Sequence, residues 1–447
     1  MVAIARNSLK FSKQSFSPRI MALLALTLMV AFIKLEAATL ASSSDFIWLT
    51  YIAEQDFGTI FKISAPAWPI VMHALIALWN WVTASQGPHF TLHNVETGYV
   101  PVDATSLVSL LKAPYVVADV ATGVLIYKIV TRQLDGRPER YKLASIAYLG
   151  WLLNPYNTLA AELIANLDAI AVLCLVAGIY ALALGRDKTS AVSIAVGGAV
   201  KLFPMFLLPF FFMSIFLRHG WKKAVSYAVF TLGFFILSIV PFVLATQGAF
   251  LRTLFVPEVR TVAQTQVNYT MFYFIGGGEI PILYGWPPLY LSVILGILYI
   301  FELSKRQDQT EWSVIEWVYG VLLIYFGFCL WTPHYLLWIS PFVMIDTAVW
   351  RRSWAWAVLF FSSAFSFMTM TWPAFFFHGG QTLFFFPAQN EWMRSSSTWI
   401  PTLKDTTLGQ FLLVNVARSV FGGVCAVYLL GMILRHPHEF KTKLVQP

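Results

Sequence analysis

An all-α, polytopic membrane helical bundle is the fold class this sequence predicts, and three observations predict it. Of 447 residues, 58% are hydrophobic and 12% charged, where a soluble chain carries about 25% charged residues. Successive apolar runs of roughly 15 to 27 residues suit helices crossing about 30 Å of hydrocarbon, not barrel strands of about 10 residues. Finally, 21 of the 30 Lys and Arg fall in seven clusters between these runs: Arg6 to Arg19, Lys128 to Lys142, Arg186 with Lys188, Arg218 to Lys223, Lys305 with Arg306, Arg351 with Arg352, and Arg435 to Lys443. Clusters so placed mark the cytoplasmic ends of membrane helices. The net charge of +8 is therefore an orientation signal, and no nucleic-acid partner is expected.

With every basic cluster inside, each segment between clusters must leave and return. The first excursion goes out over Ile20 to Leu40 and back over Thr105 to Val130, leaving 41–104 as a long first outer loop. The start of the chain resembles a signal peptide but is read as an uncleaved first helix. The apolar piece "WPIVMHALIALWNWV" inside the loop is an interfacial helix, because a true crossing would put a stretch without Lys or Arg in the cytoplasm. The next excursion uses Leu143 to Leu184. The third, Ala191 to Leu217, has only 27 residues, about 40 Å of helix against about 60 Å for two full crossings. This hairpin must turn at depth, with Lys201 and Pro204 at its tip. A second short hairpin, Val314 to Ala348, turns at "LWTPHYLLW". Ala224 to Val243 and Pro287 to Phe301 bracket one further outer loop, and Trp354 to Trp372 and Leu408 to Ile433 another. The sum is about 10–12 membrane helices with both termini cytoplasmic. No repeat or linker divides the chain, so 1–447 reads as a single domain. Cys174, Cys329 and Cys425 lie inside apolar runs without metal-ligand spacing and read as core residues.

The polar residues of the outer loops and hairpin tips form a short list. Asp45, Glu54 and Asp56 follow the first helix; His89, His93, Glu96 and Asp103 sit farther along the first outer loop. Asp119 lies within the second crossing, its role open between interhelical scaffold and site. Glu162, Asn166 and Asp168 stand in "NPYNTLAAELIANLDAIAV", Glu162 and Asn166 one turn apart on one helical face. Lys201 and His334 occupy the two tips, where charge is tolerated only against a protein or water cavity; snorkelling to the surface is the plainer alternative for Lys201, and an ordinary interfacial histidine for His334. A lysine with a histidine suits a phosphate, and carboxylates suit sugar hydroxyls or removal of a hydroxyl proton. A lipid-linked sugar phosphate would meet both demands.

The stretches "LKAPYVVADVATGVLIYKI", "WLLNPYNTLAAELIANLDAIAVLCLVAGIYAL", "AVGGAVKLFPMFLLPFFF" and "LWTPHYLLWISPF" resemble, in order and spacing, motifs of the GT-C superfamily of polyprenyl-phosphate-sugar-dependent glycosyltransferases. The resemblance is nearest to the catalytic subunit of GPI mannosyltransferase I and its prokaryotic relatives, and covers roughly residues 15 to 350. It implies an inverting mannosyltransferase, or a transferase of a similar hexose, drawing on a dolichyl or polyprenyl phosphate donor at the non-cytoplasmic face of a plasma or ER membrane. By position it implies Asp45 as the catalytic acidic residue of the first outer loop and Lys201 in "VKLFP" as the family's lysine before proline. Asn166 and Asp168 fall on its Asn-Ala-Asp-like element, and His334 on the place of a glutamine.

The expected site is then Asp45 as catalytic base, Lys201 and His334 on the donor phosphate, and Glu162, Asn166, Asp168, Asp103 and His93 as sugar- or acceptor-binding or structural residues. The partners are the lipid-phosphate-linked sugar, a hydroxyl acceptor on a glycolipid or glycan, and membrane lipids, with room for an accessory subunit. No metal ligands and no cofactor are assigned. The first outer loop lacks the family's Asp-x-Asp, which leaves a divalent metal open. The competing class is a transporter or lipid flippase, disfavoured because no inverted repeat is visible and the polar residues gather at one face.

Overall fold

A computed structural model describes residues 18–39, 105–158, 160–161, 167–245, 312–328, 333–351, 353–371 and 407–433. Among these the secondary structure is wholly helical, with no β-strand. Helix α1 spans Pro18–Thr39 and α2 spans Thr105–Gln133, the two arms expected of the first excursion. The second excursion is α3 (Arg140–Leu152), the single turn α4 (Pro155–Thr158) and α5 (Asp168–Ala183). Then come α6 (Asp187–Val200), the short α7 (Phe203–Phe206), α8 (Leu208–His219) and the long α9 (Trp221–Ala245). Helix α10 (Ser313–Phe328) is followed by a 3-10 turn (Pro333–Trp338), α11 (Ser340–Asp346) and a π turn (Thr347–Arg351). Helices α12 (Trp354–Thr371) and α13 (Thr407–Ile433) complete the described bundle.

The segments 112–133 and 221–241 are long and apolar enough to cross a membrane, and the described residues include six shorter apolar helices besides. The apolar surface left outside the bundle fits lipid. On α9 the run from Val229 to Leu244 presents Val229, Phe230, Leu232, Ile236, Leu237 and Leu244 outward, and on α1 Leu24, Leu28 and Phe32 do the same. Water would oppose so continuous an exposed apolar face, whereas hydrocarbon does not. The bundle is a polytopic membrane fold.

The third excursion is a hairpin, and its direction can be read from its contacts with α9. Asp187 and Ser190 near the start of α6 meet Lys223 at 3.0 Å and the Tyr227 hydroxyl at 2.9 Å near the start of α9. At the far end of α6, Ala195 packs with Phe235 and Ile239. Helix α6 therefore runs parallel to α9. The end of α8 comes back to the start of α9, where Phe216 and Phe212 meet Trp221 edge-on. The 14 residues of α6 rise about 21 Å, short of a hydrocarbon thickness of about 30 Å.

Local sequence explains the break at the tip. Lys201 is the cap after α6, with extended backbone (φ −151°, ψ 130°), and Pro204 opens α7 in its first turn. Proline cannot continue α6, because it lacks an N–H and its ring would strike the carbonyl four residues back, but it suits a helix start. The preceding glycines give the turn room. A Cβ on Gly197 would lie 2.8 Å from Cys174 Cβ and 3.3 Å from Pro204 Cγ, and one on Gly198 would lie 2.2 Å from Met205 Cγ.

Candidate functional site

Three elements far apart in sequence meet at the α6–α7 break. Asp168, in the first turn of α5, is wholly buried, and its Oδ2 accepts a 2.9 Å bond from Lys201 Nζ. Its Oδ1 accepts from the indole Nε1 of Trp338, at the end of the 3-10 turn, at 2.7 Å. A carboxylate at a helix N-terminus is favoured by the helix dipole, and here it is also bonded on both oxygens. The Lys201 side chain keeps 24% of its surface open, and its ammonium lies 4.8 Å from the centroid of the Tyr335 ring. Rings complete the wall. Trp338 is stacked with Phe203 (centroids 4.2 Å, planes 5° apart) and with Tyr335 (4.3 Å, 22°), and Phe326 meets it edge-on.

The "NPYN" turn after α3 ties the second short hairpin to α3. Asn157 is buried; its amide donates to the Trp151 carbonyl at 3.2 Å while its Oδ1 accepts from Ser340 Oγ at 2.7 Å, two residues beyond Trp338. The arrangement can hold one cation at a fixed place beside an aromatic wall, with about a quarter of the lysine side-chain surface open. Arg351, a residue of the sixth basic cluster, is instead tucked inward, with Nε 2.6 Å from buried Asp346 and the guanidinium over the Tyr428 and Trp356 rings.

Of the residues expected from sequence, Lys201 and Asp168 are brought into contact. His334 lies in the 3-10 turn beside Tyr335, and its side chain is outside the described residues. Asp45, His93, Asp103, Glu162 and Asn166 also lie outside them. Asp119, open between scaffold and site, pairs with Lys34 of α1 at 2.6 Å, the two side chains 0% and 2% exposed, and its carbonyl accepts from Trp151 Nε1. That is an interhelical tie. Among the described residues no group of three or more His, Cys, Asp or Glu could hold a metal ion. Sequence reasoning passed over Phe203, Tyr335, Trp338, Asn157 and Ser340. The signal for two of them was present: Tyr335 and Trp338 are three apart, which a 3-10 turn places on one face.

A helical membrane bundle in which two hairpin tips meet around a fixed lysine defines a class of lipid-embedded protein with a polar site where those tips meet. Residues 86–333 match the model of glycosyltransferase family 87. That is more than half of the chain, and the chain belongs to this family. The matched span contains Asp168 and Lys201, while Tyr335 and Trp338 lie just past its end. No curated protein matches the sequence. Two solved structures are similar at 15% identity: ArnT from Cupriavidus metallidurans bound to undecaprenyl phosphate (TM-score 0.41, covering 93% of this chain and 76% of that one) and the same protein in the apo state (TM-score 0.40, 93% and 75%).

Proposed function

We propose that the protein is an inverting hexosyltransferase that moves mannose from a dolichyl or polyprenyl phosphate to a hydroxyl acceptor on a glycolipid or lipid-linked glycan, at the non-cytoplasmic face of its membrane. Membership of a glycosyltransferase family supports group transfer. The motif resemblance to GPI mannosyltransferase I supports mannose and a lipid phosphate. The observation that carries the reading is Lys201, held in a helix break at the end of a hairpin whose first arm rises about 21 Å, with its side chain partly open. The ammonium is already braced by the Asp168 carboxylate, and a lipid phosphate whose tail stays in hydrocarbon would approach it from the open side of the lysine side chain.

The reaction is a single displacement. The acceptor oxygen forms a bond to C1 of the sugar as the bond from C1 to the phosphate oxygen breaks, and the lipid phosphate departs with the electron pair. Asp45 takes the acceptor proton, a role worth about 10² to 10⁴ in rate. The leaving phosphate gains a negative charge as the bond breaks, so Lys201, assisted by His334, stabilises the transition state more than the ground state. Asp168, being buried, acts through Lys201 rather than on the sugar.

The test uses purified full-length protein with radiolabelled polyprenyl-phosphate mannose or glucose and candidate acceptors. Lys201→Ala is expected to cut transfer by at least about 100-fold per folded molecule, with the elution peak measuring any protein lost when buried Asp168 gives up its ammonium partner. Full activity in that variant would end the assignment, and transfer of glucose alone would end the choice of mannose.

A further inference from the structure

The Trp338 indole touches both groups that hold the Lys201 ammonium. Its Nε1–H donates to Asp168 Oδ1, which leaves Oδ2 turned toward Lys201 Nζ. Its ring is stacked against Tyr335, the ring over which that ammonium sits, and against Phe203, two residues after Lys201 on the broken backbone. Two near-parallel rings this close to one centroid take opposite faces, so the indole is sandwiched between the hairpin tips. The residue is 170 positions from Asp168 in the chain.

Without such bracing the carboxylate could turn about its χ2 and the lysine could sample its many rotamers, about 2 kcal/mol of freedom in a long basic side chain. The energy available from a charge near a phosphate depends on where that charge already stands when the substrate arrives. Burial alone does not set that position, because the Lys201 side chain is one quarter open.

We propose that Trp338 is a positioning residue for Lys201: the indole N–H orients Asp168, the indole face supports Tyr335, and together they fix where the ammonium meets an incoming phosphate. This rests on the reading of Lys201 as the phosphate-binding cation. It assigns Trp338 no contact with substrate.

The test measures binding of undecaprenyl phosphate to full-length protein in detergent, which needs neither the sugar nor the acceptor. Trp338→Phe keeps a flat ring between Phe203 and Tyr335 and removes the N–H. Benzothienylalanine at position 338 keeps the bicyclic shape as well and replaces only N–H by sulfur, so it serves where phenylalanine loosens the fold. Each is expected to weaken binding about 3- to 10-fold in the otherwise natural protein, the size of one lost charge-assisted hydrogen bond acting at second hand. In the Lys201→Ala background each should change binding less than about twofold, because a residue that acts through Lys201 has nothing left to act on. An equal loss in both backgrounds, or no loss in either, would overturn the proposal. Lys201→Ala binding as tightly as the natural protein would instead overturn the phosphate reading beneath it.

Discussion

Removing one member of the Lys34–Asp119 pair should harm the protein far more than removing both. Nζ and Oδ2 are 2.6 Å apart, and the side chains are 2% and 0% exposed. At an effective dielectric constant of about 20 their attraction is about 6 kcal/mol, and it is opposed by a desolvation cost of several kcal/mol for each ion. The pair is therefore nearly neutral as a whole, but each half alone has lost the counter-charge that offsets its burial. Asp119→Ala or Lys34→Met should each cost about 3 to 5 kcal/mol. The double variant Lys34→Met with Asp119→Leu keeps the volume without either charge and should recover most of that. The assay is the temperature at which half the purified full-length protein loses its monodisperse elution peak. Both single variants should fall well below the natural protein, with the double close to it. A double variant as labile as the singles would refute the reasoning, as would singles that melt like the natural protein. Undecaprenyl phosphate affinity of the surviving folded fraction should be unchanged, since the tie belongs to the scaffold.

Two further outcomes are expected from the packing. Gly197→Ala should destabilise the fold by about 1 to 3 kcal/mol by overpacking, because its Cβ would meet Cys174 Cβ at 2.8 Å, an atom that moves only with its helix. Gly178→Ala meets Ile194 Cδ1 at 2.7 Å, the far end of a side chain that can rotate away, and should cost less in the same thermal assay. Arg351→Ala should cost about 3 kcal/mol or more by removing the guanidinium that offsets the buried Asp346 carboxylate. Arg351→Lys should not restore it, because an ammonium cannot reach the Asp346 carboxylate and the Tyr428 carbonyl while lying flat on the Tyr428 and Trp356 rings. Thermal stability of the two arginine variants checks this directly.

What the sequence determined by itself is whatever is local. The placement of α1, α2, α9, α12 and α13 follows from apolar length and the clusters that bound it. The helix break follows from glycines and a proline within eight residues, Gly197 to Pro204. Lys201 stood out because it has no acidic neighbour within a helical turn. The tertiary structure decided the rest, because the partner of a buried charge is chosen in space and not along the chain. Asp168 is 33 residues from the lysine it holds, Trp338 is 170 residues from the carboxylate it orients, and Lys34 is 85 residues from Asp119. Arg351 shows the same limit in reverse, since a count of basic residues places it at a helix end but cannot say that it turns inward onto Asp346 and the Tyr428 ring. Hydropathy adds up residue by residue, so a sequence carries it in full, whereas compensation of a charge in a low-dielectric interior is a property of two groups at hydrogen-bond distance, and only the packed helices set that distance.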